Sequence, residues 1–508
     1  MANNVASSDC EIRCCCEIDH CYTQVVVIGN GPSGICLSYF LSGNWPYYNG
    51  KPHQLEFLQE RLNENQTLSI LKQDLEYLSN GLEGRSSNPV SLLFDNLHHP
   101  NADLGLEEES CLQWIYDKNK QIPHIVLGSG IPGGAWQKMD DTLLTLSLSN
   151  WMELPGMEFK KWLQETRLGQ GDNSGQTDNG NRAKVTEVAQ YYKDYVQHMG
   201  LGENFYSNVT VTSVKKLTGM RVINSENGEP EIACQRCRRL EGENMFEVKG
   251  LARHNDMGTE EPFCIFTPNV VIATGTSDYP NRLNVPGENL NYVSHNLKKL
   301  EETIMSEEIC ASSDPVLIVG AGLSAADAII FAQNNNIPVT HAFRRKSNNK
   351  GQPLRNLPKL LYPEYNKIYT MMNSGPESNT NYLNLPQHTI VEFRPDRTVV
   401  LQDSNGNQTS VKVSHACVLI GSKPKLDFLP NYGKSYSLHK NMLVSCKNNP
   451  LDVDPYTMES NVEPSLYAIG PLVGDNFVRF LQGGALAVAS NLIQKKIPTP
   501  PPSPFRGQ

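Results

Sequence analysis

The sequence lacks any run of about 20 consecutive apolar residues, which is the length that a membrane-spanning helix requires. Its N-terminal segment also lacks the apolar core of a secretory signal. We therefore predict a cytoplasmic protein without a transmembrane segment. In that compartment glutathione keeps thiols reduced, so structural disulfides are not expected.

The chain also lacks an excess of basic residues and a metal-binding cysteine pattern. It carries 44 Lys and Arg against 54 Asp and Glu, which argues against a nucleic-acid partner because the phosphate backbone selects basic surfaces. Five of the 13 cysteines lie within residues 1–21, without the paired spacing of a tetrahedral zinc site. We predict no metal site and a flexible tail over residues 1–21. The pair Cys234 and Cys237 lies in a polar stretch and is interpreted as surface loop.

The first glycine-rich turn lacks the acidic residue that normally follows it. The stretch QVVVIGNGPSG places Gly29, Gly31 and Gly34 in G-x-G-x-x-G spacing after an apolar run, which predicts a strand, a phosphate-binding turn and a helix. In such folds an Asp or Glu about 20 residues later binds a ribose, yet no acidic residue occurs before Glu56. Either the motif is false or an insertion interrupts the fold.

An insertion accounts for the gap. The stretch QIPHIVLGSG, residues 121–130, is typical of the displaced second strand, so residues 44–120 are predicted to be inserted. Helices are expected within the insertion near residues 55–63 and 68–78. The turn LGS at the end of the displaced strand also has no acid. The ribose contact is therefore predicted to be supplied elsewhere or weakened.

A second glycine-rich unit, PVLIVGAGLSAADAIIFAQ, has the same strand, turn and helix order. About 20 residues after its turn, a predicted strand over residues 337–343 ends at Arg344 and Arg345. Cations at this position suit the 2′-phosphate of NADP, although a solvated basic turn is the simpler alternative. Two nucleotide sites in one chain indicate a flavin and a nicotinamide cofactor. The predicted phosphate-binding residues of this unit are Gly320, Gly322, Ser324 and Ala325.

Three further segments carry small residues that let a backbone approach a dinucleotide closely. They are IPGGAWQKMDD, NVVIATGTSDYP and SLYAIGPLVGDNFVRFLQGGALAVA. In the last, Asp475 could accept hydrogen bonds from the sugar-like chain of the flavin, and a helix start at Gly483 could face the ring's electron-rich edge. The candidate cofactor-binding residues of these segments are Gly133, Gly134, Trp136, Thr274, Gly275, Gly474, Asp475 and Gly483.

The motifs GNGPSG, GGAW, ATG, GAGLSAAD and GD, in this order, resemble those of the class B flavoprotein monooxygenases. Longer stretches such as NGPSGICLSYFLSG and GDNFVRFLQGGALAVAS resemble the oxidative stress-induced growth inhibitor family, nearest to the second of its vertebrate paralogues. The resemblance implies an α/β fold with two Rossmann-like domains of the three-layer ββα type, binding FAD and NADPH. The implied domains are 22–279 and 416–494 for FAD, an inserted NADPH domain 280–415, and a Pro-rich tail 495–508.

The resemblance also implies a reaction. NADPH would reduce FAD, and a flavin C4a-hydroperoxide would oxygenate a soft nitrogen or sulfur nucleophile on an unknown small molecule or protein. Asn150 is the candidate for the asparagine near flavin C4a, and Gln137 occupies a position that is His in the N-hydroxylating branch. The family further implies a role in cell growth, division, differentiation or meiosis. Two alternatives stay open: a flavin disulfide oxidoreductase, and a non-enzymatic growth regulator that keeps the fold.

Overall fold

The computed structural model describes residues 22–141, 143–169, 182–217, 245–253, 259–374 and 381–495. The cysteine-rich segment 1–21, the Cys234 and Cys237 pair and residues 496–508 of the predicted tail lie outside the described residues. None of the described helices combines the length and the apolar character needed to cross a bilayer. The helices are α1 (Pro32–Leu41), α2 (Glu56–Glu64), α3 (Leu75–Ser79), α4 (Pro89–His98), α5 (Phe159–Gly169), α6 (Val185–His198), α7 (Leu297–Met305), α8 (Leu323–Asn334), α9 (Pro363–Asn373) and α10 (Val478–Gln494).

The strands divide into two parallel sheets, two three-stranded antiparallel sheets and short two-stranded pairs within the described residues. They are β1 (Val25–Ile28), β2 (Asn44–Tyr48), β3 (Leu112–Tyr116), β4 (His124–Leu127), β5 (Leu144–Leu148), β6 (Arg182–Lys184), β7 (Phe205–Tyr206), β8 (Val209–Leu217), β9 (Met245–Arg253), β10 (Glu260–Thr267), β11 (Asn269–Ile272), β12 (Tyr279–Pro280), β13 (Val293–Ser294), β14 (Val316–Val319), β15 (Val339–Phe343), β16 (Tyr382–Pro386), β17 (Thr389–Phe393), β18 (Thr398–Gln402), β19 (Gln408–Lys412), β20 (His415–Val418), β21 (Ser422–Lys423) and β22 (Leu466–Ala468).

The first parallel sheet has the order β22-β11-β1-β4-β7. Its central strand β1, VVVI, is buried along its whole length, as expected of a parallel strand covered on both faces. Strand β4 pairs with β1 from Val25 opposite His124 to Ile28 opposite Leu127. The neighbour of β1 therefore comes only after the long segment that follows α1, as the displaced-strand interpretation predicts.

The second parallel sheet, β13-β20-β14-β15-β16, lies between β11 and β22 in the sequence. The chain thus leaves the first sheet after β11, builds the second sheet and returns as β22. This topology confirms the predicted α/β class with two Rossmann-like units, one interrupting the other. The predicted boundary between residues 415 and 416 needs correction, because it cuts β20, and the second sheet extends to Val418.

Alternating side chains of the sheets pack on two different layers. In β14, Val316 and Ile318 belong to the apolar cluster that includes α7 and α8, whereas Leu317 and Val319 belong to the cluster that includes β17 and β18. Because successive side chains of a strand point to opposite faces, helices cover one face of this sheet and an antiparallel sheet covers the other. In the first unit, α1 packs with α10, and β8–β10 contacts β4 and β11. This is the predicted three-layer ββα arrangement.

The segment between α1 and β4 begins with β2 and ends with β3, which pair as an antiparallel hairpin. Helices α2, α3 and α4 lie between these two strands in the sequence. The helix predicted near residues 55–63 is confirmed as α2. The helix predicted near residues 68–78 is not continuous, because a 3-10 turn over Ile70–Lys72 precedes α3. The Asp74 side chain caps α3 by accepting a hydrogen bond from the N–H of Tyr77. Helix α4 was not predicted, and it packs against α10, the helix that follows β22.

Candidate functional site

The first glycine-rich turn joins β1 to α1 and leaves open space at its middle glycine. Gly29 has a φ of 117°, and a Cβ there would lie 2.3 Å from the carbonyl oxygen of Ala273, so only glycine fits. At Gly31, the N-cap of α1, a Cβ would meet nothing closer than the Gly134 Cα at 4.0 Å. Gly34 follows in the first turn of α1. A pyrophosphate therefore has room beside the N-terminal N–H groups of this helix.

The loop with paired glycines lies directly against this turn. The Gly133 N–H donates to a backbone carbonyl of the turn at 2.9 Å, and a Cβ on Gly134 would lie 2.9 Å from the Gly31 Cα. Trp136 follows in the same loop and is half-buried. Its ring packs edge-on against Tyr192, with the two centroids 6.1 Å apart. The fold thus brings the predicted GGAW residues together with the first turn.

No acidic side chain stands at the end of β4, where this fold places its ribose contact. Asn30, from inside the first turn, covers the position instead, and its Nδ2 donates to the Gly130 carbonyl at 2.7 Å. A Cβ on Gly128 would lie 2.0 Å from the same amide nitrogen. The side chain of Asn30 therefore occupies the space above the turn.

Two predicted site residues carry buried oxygens without a protein partner. Thr274 Oγ1 lies just after β11, and Asn150 Oδ1 lies in the 3-10 turn Ser149–Met152; neither forms a hydrogen bond with the described residues. Gly275 follows with a φ of 70° and open space at its Cβ position. A buried polar atom left unpaired costs about 1–3 kcal/mol. These atoms therefore fit contacts with a bound group, and together with the first turn they fit a dinucleotide.

The carboxyl group of Asp475 faces the segment inserted before β4. It accepts hydrogen bonds from the Ser86 hydroxyl at 2.7 Å, from Asn88 Nδ2 at 2.6 Å and from the Ser91 hydroxyl at 2.8 Å. Burial raises the pKa of Asp475, and the three donors oppose that rise. A carboxylate has about four acceptor positions, so one is left for the predicted flavin contact. That contact stays a prediction, and the partners that the structure shows belong to the insertion.

The prediction that a helix starts at Gly483 is wrong, because α10 begins at Val478 and Gly483 lies inside it. A Cβ on Gly483 would lie 2.3 Å from the Ser91 Cα and 2.6 Å from the carbonyl oxygen of Val90. The missing side chain therefore allows α10 to touch the backbone of α4. Before α10, Gly474 is the C-cap of the 3-10 turn Gly470–Val473. It has a φ of 103° and open space at its Cβ position.

Gln137, predicted as a catalytic residue, uses its amide nitrogen inside the protein. Its Nε2 donates to the carbonyl oxygens of Pro132 and Ala189, both at 2.7 Å. The residue thus ties the GGAW loop to α6. Its two N–H donors are both occupied by these contacts, so the structure gives Gln137 a positioning role in the loop, and the catalytic role stays a prediction.

The second glycine-rich turn joins β14 to α8 and repeats the open geometry of the first. Gly320 has a φ of 131°, and a Cβ there would clash with the carbonyl oxygen of Leu419. Gly322, in contrast, has no neighbour within 4 Å of its Cβ position. Ala325 is buried in α8, 3.7 Å from the Cβ position of Gly320, and Ser324 is exposed in the first turn of the helix. This turn therefore also has room for a pyrophosphate at a helix N-terminus.

Arg344 and Arg345 follow directly after β15, the neighbour of β14. Both side chains are exposed, and among the described residues neither forms an ion pair or a hydrogen bond. The prediction of a basic end to this strand is confirmed. Guanidinium groups bind phosphates through charge-assisted hydrogen bonds, and the role of this pair in binding NADPH stays a prediction.

A buried charge cluster near α10 was missed by the sequence reasoning. Arg479 is 1% exposed, its Nε lies 2.9 Å from an Asp95 carboxylate oxygen, and it also pairs with Asp103. Its guanidinium lies 4.4 Å from the centroid of the Trp151 ring, in the segment that carries Asn150. Burial raises the pKa of Asp95 to about 7. The signal available in the sequence was one arginine inside the apolar stretch VRFLQGGALAVA.

The fold and the two turns define the class of protein. A family model described as pyridine nucleotide-disulphide oxidoreductase matches residues 243–470. A bacillithiol disulfide reductase from Staphylococcus aureus has a TM-score of 0.56 at 14% identity, covering 94% of this chain and 100% of that one. An ornithine N-hydroxylase from Kutzneria has a TM-score of 0.53 at 12% identity with the same coverage. At these identities the likeness concerns the fold, which is that of the oxidoreductases with FAD and NAD(P)H as cofactors.

Full-length relatives identify the family within this class. The chain is 45% identical to human oxidative stress-induced growth inhibitor 1 over 94% of its length and 96% of the relative. It is 44% identical to human oxidative stress-induced growth inhibitor 2, with 93% of each chain covered. The chain belongs to the oxidative stress-induced growth inhibitor family. Because the two identities differ by one percentage point, they do not favour the second paralogue as the sequence resemblance did.

Proposed function

We propose that the protein is an NADPH- and FAD-dependent monooxygenase that acts on a soft nitrogen or sulfur nucleophile. The observation that carries the proposal is the pair Arg344 and Arg345, exposed and unpaired beside the second phosphate turn. Two such cations match the extra phosphate that distinguishes NADPH from NADH. The relatives are named growth inhibitors, so we also propose a role in restraining cell growth, division, differentiation or meiosis, with the substrate a small molecule or a protein side chain.

The chain's own residues would hold and orient the cofactors. The turn at Gly31 would take the pyrophosphate of FAD, and the turn at Gly322 that of NADPH. Within the described residues, Thr274 presents a buried hydroxyl without a protein partner, and Asn150 presents a buried amide oxygen without a donor; a bound cofactor or substrate would supply both partners. Trp136 would hold the loop in place through its edge-on contact with Tyr192 of α6. When bound, FAD supplies the activation of oxygen, so no side-chain nucleophile or catalytic triad is required.

A disulfide oxidoreductase is the less favoured activity. Such an enzyme needs a reactive thiolate beside the flavin. Cys36 lies in α1, directly after the first turn, but it is fully buried. Burial raises the pKa of the Cys36 thiol well above its usual range, which disfavours the thiolate. The chemistry of this cysteine therefore supports a structural role in the helix.

A non-enzymatic role is the second candidate, and Asp475 favours it. Three donors of the inserted segment hold its carboxylate, which leaves little capacity for a flavin. If this occupancy weakened FAD binding enough, the chain would keep the fold as a growth-regulatory scaffold. Flavin content separates the two candidates directly: protein that holds one FAD per chain and takes up oxygen with NADPH supports the enzyme, and colourless protein that cannot be reconstituted rules it out.

Charge reversal tests the phosphate assignment. We expect the double variant Arg344→Glu, Arg345→Glu to raise the KM for NADPH by at least about 100-fold, since it removes two charge-assisted contacts of about 1.5–3 kcal/mol each. The KM for NADH should change by less than about threefold. Lys412→Glu is the matched control, an exposed cation on β19 of the same unit. Equal effects of the double variant on both nucleotides would refute the assignment, whatever the later oxygen chemistry.

A further inference from the structure

Three ligating side chains meet where the inserted helix α4 ends. His98 is the last residue of α4, His99 is its C-cap, and Glu153 follows the 3-10 turn Ser149–Met152. One ring nitrogen of each histidine and one carboxylate oxygen of Glu153 lie within 4.8 Å of one another. The His99 Nδ1 lies 3.9 Å from the Glu153 Oε1. No motif or spacing in the sequence predicts this cluster, because it joins two separate parts of the chain.

The histidines of this cluster have unpartnered ring nitrogens. His98 is 7% exposed and His99 is 8% exposed, yet His98 Nδ1 and His99 Nε2 form no hydrogen bond with the described residues. Burial lowers the pKa of His98 to about 4 and shifts the pKa of His99 in the same direction. Each ring thus keeps one buried nitrogen without a partner among the described residues, and imidazole nitrogens are common metal ligands.

The charged side chains at the cluster include Glu153 and Arg479. The side chain of Glu153 is 16% exposed, and among the described residues it forms no ion pair with a lysine or an arginine. Arg479, which acts electrostatically on His99, is held by Asp95 and Asp103. Its guanidinium is therefore directed to these two carboxyl groups, of which Asp103 also pairs with Arg85. A cation between the histidines and Glu153 would give the buried glutamate a close partner.

We propose that His98, His99 and Glu153 bind one Zn²⁺ ion, with water as the fourth ligand. Two imidazoles and one carboxylate are a common zinc ligand set. Bonds of about 2.0–2.2 Å place the ligand atoms of a tetrahedral site about 3.3 Å apart, so the cluster contracts by about 1–2 Å on binding, a distance that side-chain rotation covers. The ion joins the insertion to the turn that carries Asn150. This site does not depend on the proposed oxidoreductase activity.

Metal binding is measured on untagged, full-length protein that has been stripped with a chelator. After equilibration with Zn²⁺ we expect one ion per chain, and with Co²⁺ the visible spectrum of a four-coordinate nitrogen and oxygen site. His99→Gln and Glu153→Gln should each weaken Zn²⁺ binding by at least about tenfold. Zn²⁺ should also raise the Tm of the wild type and fail to raise that of the variants. His439→Gln is the control, because His439 is exposed.

The outcomes separate this site from the cysteine-rich segment 1–21, which carries five thiols that could also take up zinc. A thiolate charge-transfer band with Co²⁺, abolished by serine substitutions in that segment, would overturn the proposal. So would less than one ion per chain, or unchanged affinity in folded His99→Gln and Glu153→Gln variants. If the variants do not fold, the wild-type cobalt spectrum decides between nitrogen and oxygen ligands, which support the site, and sulfur ligands, which refute it.

Discussion

Replacing Gly483 with alanine tests whether the inserted helix α4 lies directly on α10. The new Cβ would lie 2.3 Å from the Ser91 Cα, 2.6 Å from the Val90 carbonyl oxygen and 2.7 Å from the Ser91 nitrogen. These are backbone atoms, so α4 as a whole must move, at a cost near the upper end of the about 1–3 kcal/mol of overpacking. Alanine returns about 1 kcal/mol of helix propensity. We expect the free energy of unfolding to fall by about 2 kcal/mol.

Gly484 provides the matched control in the same helix. A Cβ there would lie 3.4 Å from Ile469 Cγ2 and 3.9 Å from Met458 Cγ, which are ordinary contacts with side chains that can adjust. Gly484→Ala should therefore leave stability unchanged or raise it by up to about 1 kcal/mol. Urea unfolding followed by tryptophan fluorescence measures both variants, because Trp45 and Trp114 belong to the inserted hairpin. Equal midpoints for the two variants would refute the packing of α4 on α10.

Two further substitutions test the buried histidine beside the second turn and the contacts of Asp475 with the insertion. His341 forms a hydrogen bond with the Gly320 carbonyl oxygen, and burial lowers the pKa of His341 from 6.5 to about 4. The neutral ring therefore contributes its full share of the folding free energy above pH 6.5, and this contribution is lost as the pH falls toward 4. In His341→Gln the free energy of unfolding should fall less steeply with decreasing pH, by up to about 1.4 kcal/mol per pH unit. Urea unfolding at several pH values measures this slope, and an unchanged slope would contradict the assignment to His341. Asp475→Ala removes the acceptor of two buried donors, Asn88 and Ser91, and of the half-buried Ser86. It should lower the free energy of unfolding by about 3 kcal/mol, whereas a change below about 1 kcal/mol would show that the insertion is held elsewhere.

Much of the fold could be predicted because its signals are local. The turns at Gly31 and Gly322 each follow an apolar strand and open a helix, so strand, turn and helix are contiguous in the sequence. The basic end of β15 follows from the usual spacing of such units. Strand β4 could be recognised despite its displacement, because an apolar run is followed at once by the paired glycines. These elements carry the two nucleotide sites.

The partners of the site residues could not be predicted, because they depend on distant contacts. Ser91 is 384 residues from Asp475, and no pattern in either segment records their meeting. The local sequence of Gln137 is compatible with an amide that faces a cofactor or one that faces Ala189 of α6; only the tertiary structure decides. Gly483 looked like a helix start because glycine is rare within helices, whereas close packing with α4 required it there.

The interrupted topology has a consequence for the order in which the chain is made. Strands β1 and β4 leave the ribosome early, but β22 and Asp475, which complete their sheet and hold the insertion, come near the end. The second sheet uses only strands between residues 293 and 418. Because units generally fold as they are completed during synthesis, the unit of the second sheet can form first, whereas the first sheet stays incomplete until β22 has been made. If the first unit binds FAD as proposed, it gains a complete site only once β22 has been made, beside a second unit that is already folded.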